Sequence, residues 1–346
     1  MVSGVPDGRA IDEGRGGRAG LRPRGFLPAA CGRLREGLAR HRRWLEFREA
    51  CREGWRRARA RRAIQGRILG TRPVRTARGG PVEVRVLTWR RDWLNAAWAL
   101  KSFYHFAGVD YPLVLHDGGL APGQAGRLLR HFPDATVVGA AEADARVAEA
   151  LGGRGLRRCL EYRARNISTR KVFDFYALSD AEYVVAIDPD IVFFARPAEL
   201  IVPPGGVAVN RYNKDVGCAY SMDPDELEAA FGLRPPPGIN SGLALVRRAS
   251  VDFAAIDVWL AHPRLFADTW VTEQTLHALF SAAHGVELLP ESYRVGTEPG
   301  LDPGLVCKHY PGFFRPLLYA EGMAHLVDAG FLGELAGEGR RCPGCW

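Results

Sequence analysis

Five consecutive apolar residues, Tyr183 to Ile187 (YVVAI), run directly into Asp188-Pro189-Asp190. A short run without polar alternation is a strand buried on both faces, and sheets are covered on both faces when helices connect their strands. The surrounding pattern agrees. Val82 to Thr88 (VEVRVLT) reads as a β-branched strand, Trp93 to Ala107 as a helix, and Tyr111 to His116 (YPLVLH) as a second strand closed by Asp117-Gly118-Gly119. Residues 123–131 and 142–151 read as helices around a short strand from Ala135 to Val138, and Thr169 to Leu178 as a helix ahead of the apolar run. Such alternation predicts an open, mainly parallel α/β sheet flanked by helices, over residues 81–330.

Charge divides the chain at this domain's edge. Residues 1–80 hold 21 Arg, no Lys and 7 acids, a net +14, against −6 for residues 81–346. The Gly- and Arg-rich stretch 1–25 has almost no large apolar residues and is expected to be disordered. Over residues 26–80 a basic amphipathic helical extension and linker is expected. Leu34, Leu38, His41, Leu45, Cys51, Trp55 and Ala58 recur at helical steps with Arg on the other faces, up to the Pro- and Gly-bearing linker Thr71–Gly80. Docking of this helix on the domain is the plainest reading, and contact with anionic lipid headgroups through residues 26–70 is the next. Nucleic acid ranks last, since neither an aromatic platform nor a DNA-reading motif is present.

The seven cysteines are odd in number and thinly spread, and no charged-then-apolar leader opens the sequence, so a reducing cytoplasm is the expected home. Cys342 and Cys345 have metal-knuckle spacing without a second pair, so residues 331–346 are expected to be an inert tail. No stretch reaches the roughly 18 apolar residues of a membrane-spanning helix.

Two carboxylates at a strand's C-terminal end stand where open α/β sheets bind ligands. Held that close they repel, and burial adds to the cost, unless a cation neutralises them. Hard oxygen donors suit Mn2+ or Mg2+, with positions left over for phosphate oxygens. A solvated Asp-Pro turn would have the same spelling. So would the first motif of a haloacid-dehalogenase phosphatase, in which the first Asp is the nucleophile, although about 100 residues of α/β domain precede this one.

Four segments, in order, resemble the nucleotide-sugar glycosyltransferases of the GT-A fold, most closely the family holding glycogenin and the bacterial lipopolysaccharide galactosyltransferases. Lys171 precedes the helix, strand and Asp-x-Asp of TRKVFDFYALSDAEYVVAIDPDIVFF. Asn240-Ser241-Gly242 in INSGLALV is similar to that family's Asn-Ala-Gly, with Ser for Ala. Glu273-Gln274 resembles its Asp-Gln at a helix start. KHYPGFFRP matches its His-x-x-Gly-x-x-Lys-Pro through His309, Gly312, Arg315 and Pro316, with Arg for Lys.

The resemblance implies a Rossmann-like GT-A domain and transfer of a sugar, with retention of configuration, from a nucleoside diphosphate sugar, UDP-sugar expected, to a glycan, lipid-linked or protein acceptor. It implies Asp188, Asp190 and His309 as metal ligands, and Glu273, Gln274 and Asp190 at the reacting centre. Thr88, Lys171, Asn240, Ser241, Gly242, Gly312 and Arg315 would bind the donor, with Trp89 stacking on the base. The family's acidic base-binding residue has no evident counterpart. A catalytically degenerate domain kept as a binding module remains the non-enzymatic alternative. Peripheral attachment to the inner membrane face follows from the basic extension.

Overall fold

The computed structural model describes residues 58–59, 61–266 and 270–337, with only the backbone of Trp270 among these left without side-chain detail. The expected tail 1–25, the helical periodicity from Leu27 to residue 57 and the Cys342/Cys345 pair lie outside the described residues. Among the described residues ten strands build one sheet: β1 Val82–Thr88, β2 Leu113–Asp117, β3 Thr136–Val138, β4 Tyr183–Ile187, β5 Ile191–Phe193, β6 Asn210–Lys214, β7 Ile239–Arg247, β8 Val286–Leu288, β9 Tyr293–Val295 and β10 Cys307–His309. Their spatial order is β3-β2-β1-β4-β7-β6-β9-β10-β5, with β8 beside β6.

Among the described residues six strand pairings are parallel and three antiparallel. The open, mainly parallel α/β sheet is therefore present, with one modification. β4 lies parallel to β1 but antiparallel to β7, which returns after the excursion through β5 and β6. Burial on both faces explains the unbroken apolar run of β4. Tyr183, Val185 and Ile187 enter the core under the Trp93–Ala107 helix, and Val184 and Ala186 enter the opposite one under the helices Arg170–Ala177 and Trp270–His284.

The domain extends past both edges read from the sequence. Residues 61–76, expected as extension and linker, lie on the Trp93–Ala107 helix: Gln65 donates to Asn95 Oδ1 at 2.6 Å, Trp98 Nε1 donates to the Gln65 carbonyl at 3.0 Å, and Ile68 is buried. Buried Lys101 donates to Thr71 Oγ1 at 2.7 Å and to the Arg72 carbonyl at 2.5 Å, and burial pushes its pKa down to about 8. At the other edge Phe331–Ala336 is a helix and not an inert tail, because Phe331 is buried beside Trp98 and stacks on Phe106. Among the described residues no helix is long and apolar enough to cross a membrane.

Arg85 is buried in the middle of β1, where its guanidinium is divided between Glu83 at 2.7 Å, the Leu178 carbonyl at 2.8 Å and His116 Nε2 at 3.0 Å. Burial, and then the Arg85 charge, push His116 well below its ordinary value, so its ring is neutral and Nε2 accepts. A buried neutral His stabilises the fold fully above its unfolded pKa of about 6.5 and progressively less as pH falls below it. Denaturant titrations at pH 7 and pH 5 are expected to differ by on the order of 1–2 kcal/mol from this group, and the difference should shrink in His116→Gln.

Candidate active site

The strand order reverses between β1 and β4, and the crevice outside the carboxyl ends at such a switch point is where this class of sheet takes ligands. A cleft of about 190 Å³ lies there. Leu87 and Trp89 line it from the end of β1, Asp188 to Asp190 from the end of β4, Asn240 to Gly242 from β7, Glu273 and Gln274 from the Trp270–His284 helix, and His309, Pro311, Gly312 and Arg315 from β10 onward. Asp190 and His309 are 119 residues apart in the chain and are brought together by two short antiparallel strands, β5 and β10.

One ligand atom from each of Asp188, Asp190 and His309 lies within 4.8 Å of the others. The hydrogen bonds fix the state of His309. Asn240 Nδ2 donates to Asp215 Oδ2 at 3.2 Å, so the amide oxygen faces the other way and accepts from the Gly242 N–H at 3.1 Å. That oxygen lies 3.0 Å from His309 Nδ1, which must therefore carry a hydrogen. Nε2, 3.2 Å from Asp190 Oδ1 and 4.0 Å from Asp188 Oδ2, is left to take a proton or a metal ion. Two carboxylates and an imidazole are a donor set for Mn2+ or Mg2+.

Fixed charges surround this triad. Lys171 Nζ donates to both oxygens of Asp188 at 3.2 Å and lies 3.5 Å from Glu273. Arg315 donates through Nε to Asp190 at 2.8 Å and through Nη1 to Asp92 at 3.0 Å. Burial would raise Asp190, but His309 and Arg315 outweigh it and hold the carboxyl down to about 2. Asp188 goes the other way, raised by burial and by Asp190 with only partial relief from Lys171. Burial also raises Asp92 against the pull of Arg315, whereas Glu273 is held below its ordinary range because Lys171, His277 and Ser241 outweigh its burial. Four carboxylates, Asp188, Asp190, Glu273 and Asp92, thus share the two fixed cations Lys171 and Arg315.

Backbone shape is as specific as charge. A Cβ on Gly242 would run into the His309 ring and come within 2.9 Å of Asp188 Oδ2, so only glycine lets β7 pass beneath the triad. Gly312 turns the loop after His309 at φ +52°. Ser241 Oγ donates to Glu273 at 2.8 Å, and its N–H donates to Gln274 Oε1 at 3.3 Å. Gln274 Nε2 donates to Asp215 at 3.2 Å and to the Ala219 carbonyl at 3.1 Å, which leaves the cleft one lone pair on Oε1.

All of the site residues expected from the sequence meet at this cleft except Thr88. Strand alternation sends Leu87 and Trp89 to the cleft and Thr88 to the other face, where its side chain is fully buried. Asn240 meets the cleft in a different capacity, since its oxygen is spent on His309 and Gly242. Asp92, Asp215 and His277 escape sequence reasoning. Asp92 looks like an ordinary residue before a helix, and Asp215 follows the polar strand β6.

No protein-family model matches the sequence, and no curated protein does. Solved structures similar to the chain include apo mouse xyloside xylosyltransferase 1, at 14% identity and a TM-score of 0.44 over 68% of this chain and 98% of that one. Another is the galactosyltransferase LgtC in complex with donor and acceptor sugar analogues, at 14% identity and 0.47 over 76% and 98%. A third is the mannosyltransferase Ktr4p from S. cerevisiae in complex with GDP, at 9% identity and 0.43 over 82% and 93%.

The hydrogen-bond pattern predicts that Asn240→Ala, which frees the His309 ring, weakens Mn2+ binding by about 10–100-fold in a calorimetric titration. Unchanged affinity would separate His309 from the ion. Gly242→Ala should do the same and also cost roughly 1–3 kcal/mol in thermal unfolding, through overpacking.

Proposed function

We propose that the chain is a metal-dependent glycosyltransferase that moves a sugar from a nucleoside diphosphate sugar, UDP-sugar in the first instance, to a glycan, lipid-linked or protein acceptor. The observation that carries the reading is the Asp188, Asp190 and His309 triad at the switch-point cleft, with Nδ1 held by Asn240 and Nε2 turned to both carboxylates. Mn2+ or Mg2+ held by these three residues would supply the Lewis acidity that neutralises a leaving diphosphate.

The chain's own residues position and balance charge. Lys171 and Arg315 stand at the cleft wall on carboxylate partners, close enough to meet phosphate oxygens as negative charge builds. Gly242 and Gly312 leave room for a ligand to approach the backbone, and Asn240, through its remaining amide hydrogen, and Ser241 border the donor sugar. Glu273, held ionised by Lys171, His277 and Ser241, accepts from sugar hydroxyls. The lone pair left on Gln274 Oε1 would lie beneath the anomeric centre, and the resemblance to the retaining glycosyltransferases implies that the product keeps the donor's configuration. Trp89 offers an aromatic face for the base. Of the basic segment 26–70, the part ahead of Arg61 would hold the enzyme on an anionic membrane surface at the cytoplasmic side, since residues 61–70 are taken up by the Trp93–Ala107 helix.

Calorimetric titration of UDP and GDP tests the donor site. Binding is expected with Mn2+ and is expected to be lost with EDTA or in Asp190→Asn. Failure of every nucleoside diphosphate would leave the degenerate-domain or phosphatase reading. Anomeric-proton NMR of isolated product tests the stereochemistry, and an inverted product would remove Gln274 from its role.

A further inference from the structure

Five large apolar side chains are exposed among the described residues: Leu69, Ile167, Val216, Val258 and Phe313. Single exposed apolar residues are ordinary, but a concentration at one place is not. Ile167 and Phe313 are the chain neighbours of Ser168 and Gly312, both of which line the cleft. Phe313 is the extreme case at 98% exposure. Its loop is nonetheless fixed, because the adjoining Arg315 is pinned to Asp190 and Asp92.

Charge marks one lip of the cleft. The segments 89–91, 165–168 and 311–314 carry exposed Arg90, Arg91 and, at the end of the helix Arg157–Arg165, Arg165 over the Phe266 ring at 4.3 Å, and no acid, although residues 81–346 as a whole carry −6. Beyond Asp215 a recess of about 520 Å³ holds Asp215, Glu291, Glu298 and Asp302 against Lys214 and Arg294, with Val216 at its side. Asp215 joins the recess to the cleft through its bonds to Asn240 and Gln274. Apolar tips flanked by arginine suit the boundary of an anionic bilayer, where the tips enter the acyl region and the guanidinium groups meet phosphates.

We propose that the lip formed by Phe313, Ile167 and the arginines beside them docks on an anionic phospholipid bilayer, so that the cleft opens at the membrane plane and the acceptor is a lipid-linked amphiphile. One contact of this size is marginal alone, and residues 1–60, with 15 Arg against 7 acids and a net +8, supply the second signal that stable attachment needs. The acceptor class rests on the transferase reading, whereas the docking does not.

Partition of the full chain onto vesicles of phosphatidylcholine and phosphatidylglycerol is the test. Phe313→Ser is expected to lower the partition coefficient about tenfold or more, the worth of one phenyl ring transferred out of water, and Ile167→Ser to lower it less. Val258→Ser, at an apolar site on the Phe253–Trp259 helix that is more exposed than Ile167, is expected to leave it unchanged. Equal partition of wild type and Phe313→Ser, an equal fall in Val258→Ser, or no vesicle binding by the full chain would overturn the proposal. Metal-dependent nucleotide binding, measured on the same preparations, decides the transferase reading separately.

Discussion

Two carboxylates two residues apart, at the end of a strand buried on both faces, impose a condition on everything around them. Asp190 is buried and Asp188 only partly exposed, so water screens the pair incompletely and positive charge comes from elsewhere in the chain. Lys171 comes from the preceding helix, Arg315 and His309 from residues more than a hundred positions later. Lys171 is in turn shared with Glu273, and Arg315 with Asp92. The result is an alternating chain of charges across the cleft, with the imidazole at its centre.

The parts of this arrangement that were legible in the sequence are those that repeat a local pattern. β1 and β4 begin and end where their apolar runs do, and the Trp93–Ala107 helix has the bounds its composition indicates. The triad could be read because its members sit in short motifs. β6 was invisible for a physical reason: its sequence NRYNK is polar, yet Asn210 is fully buried, satisfied by Ser250, Ser281 and the Arg247 N–H. Asp92 was invisible because its partner lies 223 residues away. Thr88 was misplaced by one position, which in a strand is the difference between two faces of the sheet.

The same alternation gives β10 two tasks. His309 turns to the metal-ligand triad, while buried Lys308 turns away and donates to the carbonyls of Glu298 and Gly300, each at 2.8 Å, and to Glu321 at 2.7 Å. One three-residue strand thus fixes a wall of the acidic recess and the imidazole of the cleft. A π-helix, Leu318–Met323, carries Glu321 into this position and brings Gly322 against Tyr310. Such widened turns are frequent at functional sites.

β4 stands at the seam between the parallel half of the sheet and the antiparallel half, with β1 on one side and β7 on the other. The residues around the cleft come from both halves: Lys171 and Trp89 from one, Asn240, Gly242 and His309 from the other. Occupancy and folding are therefore linked thermodynamically. A ligand bound across the seam contributes its free energy to the cohesion of the two halves, and any motion that parts them is opposed by that same amount.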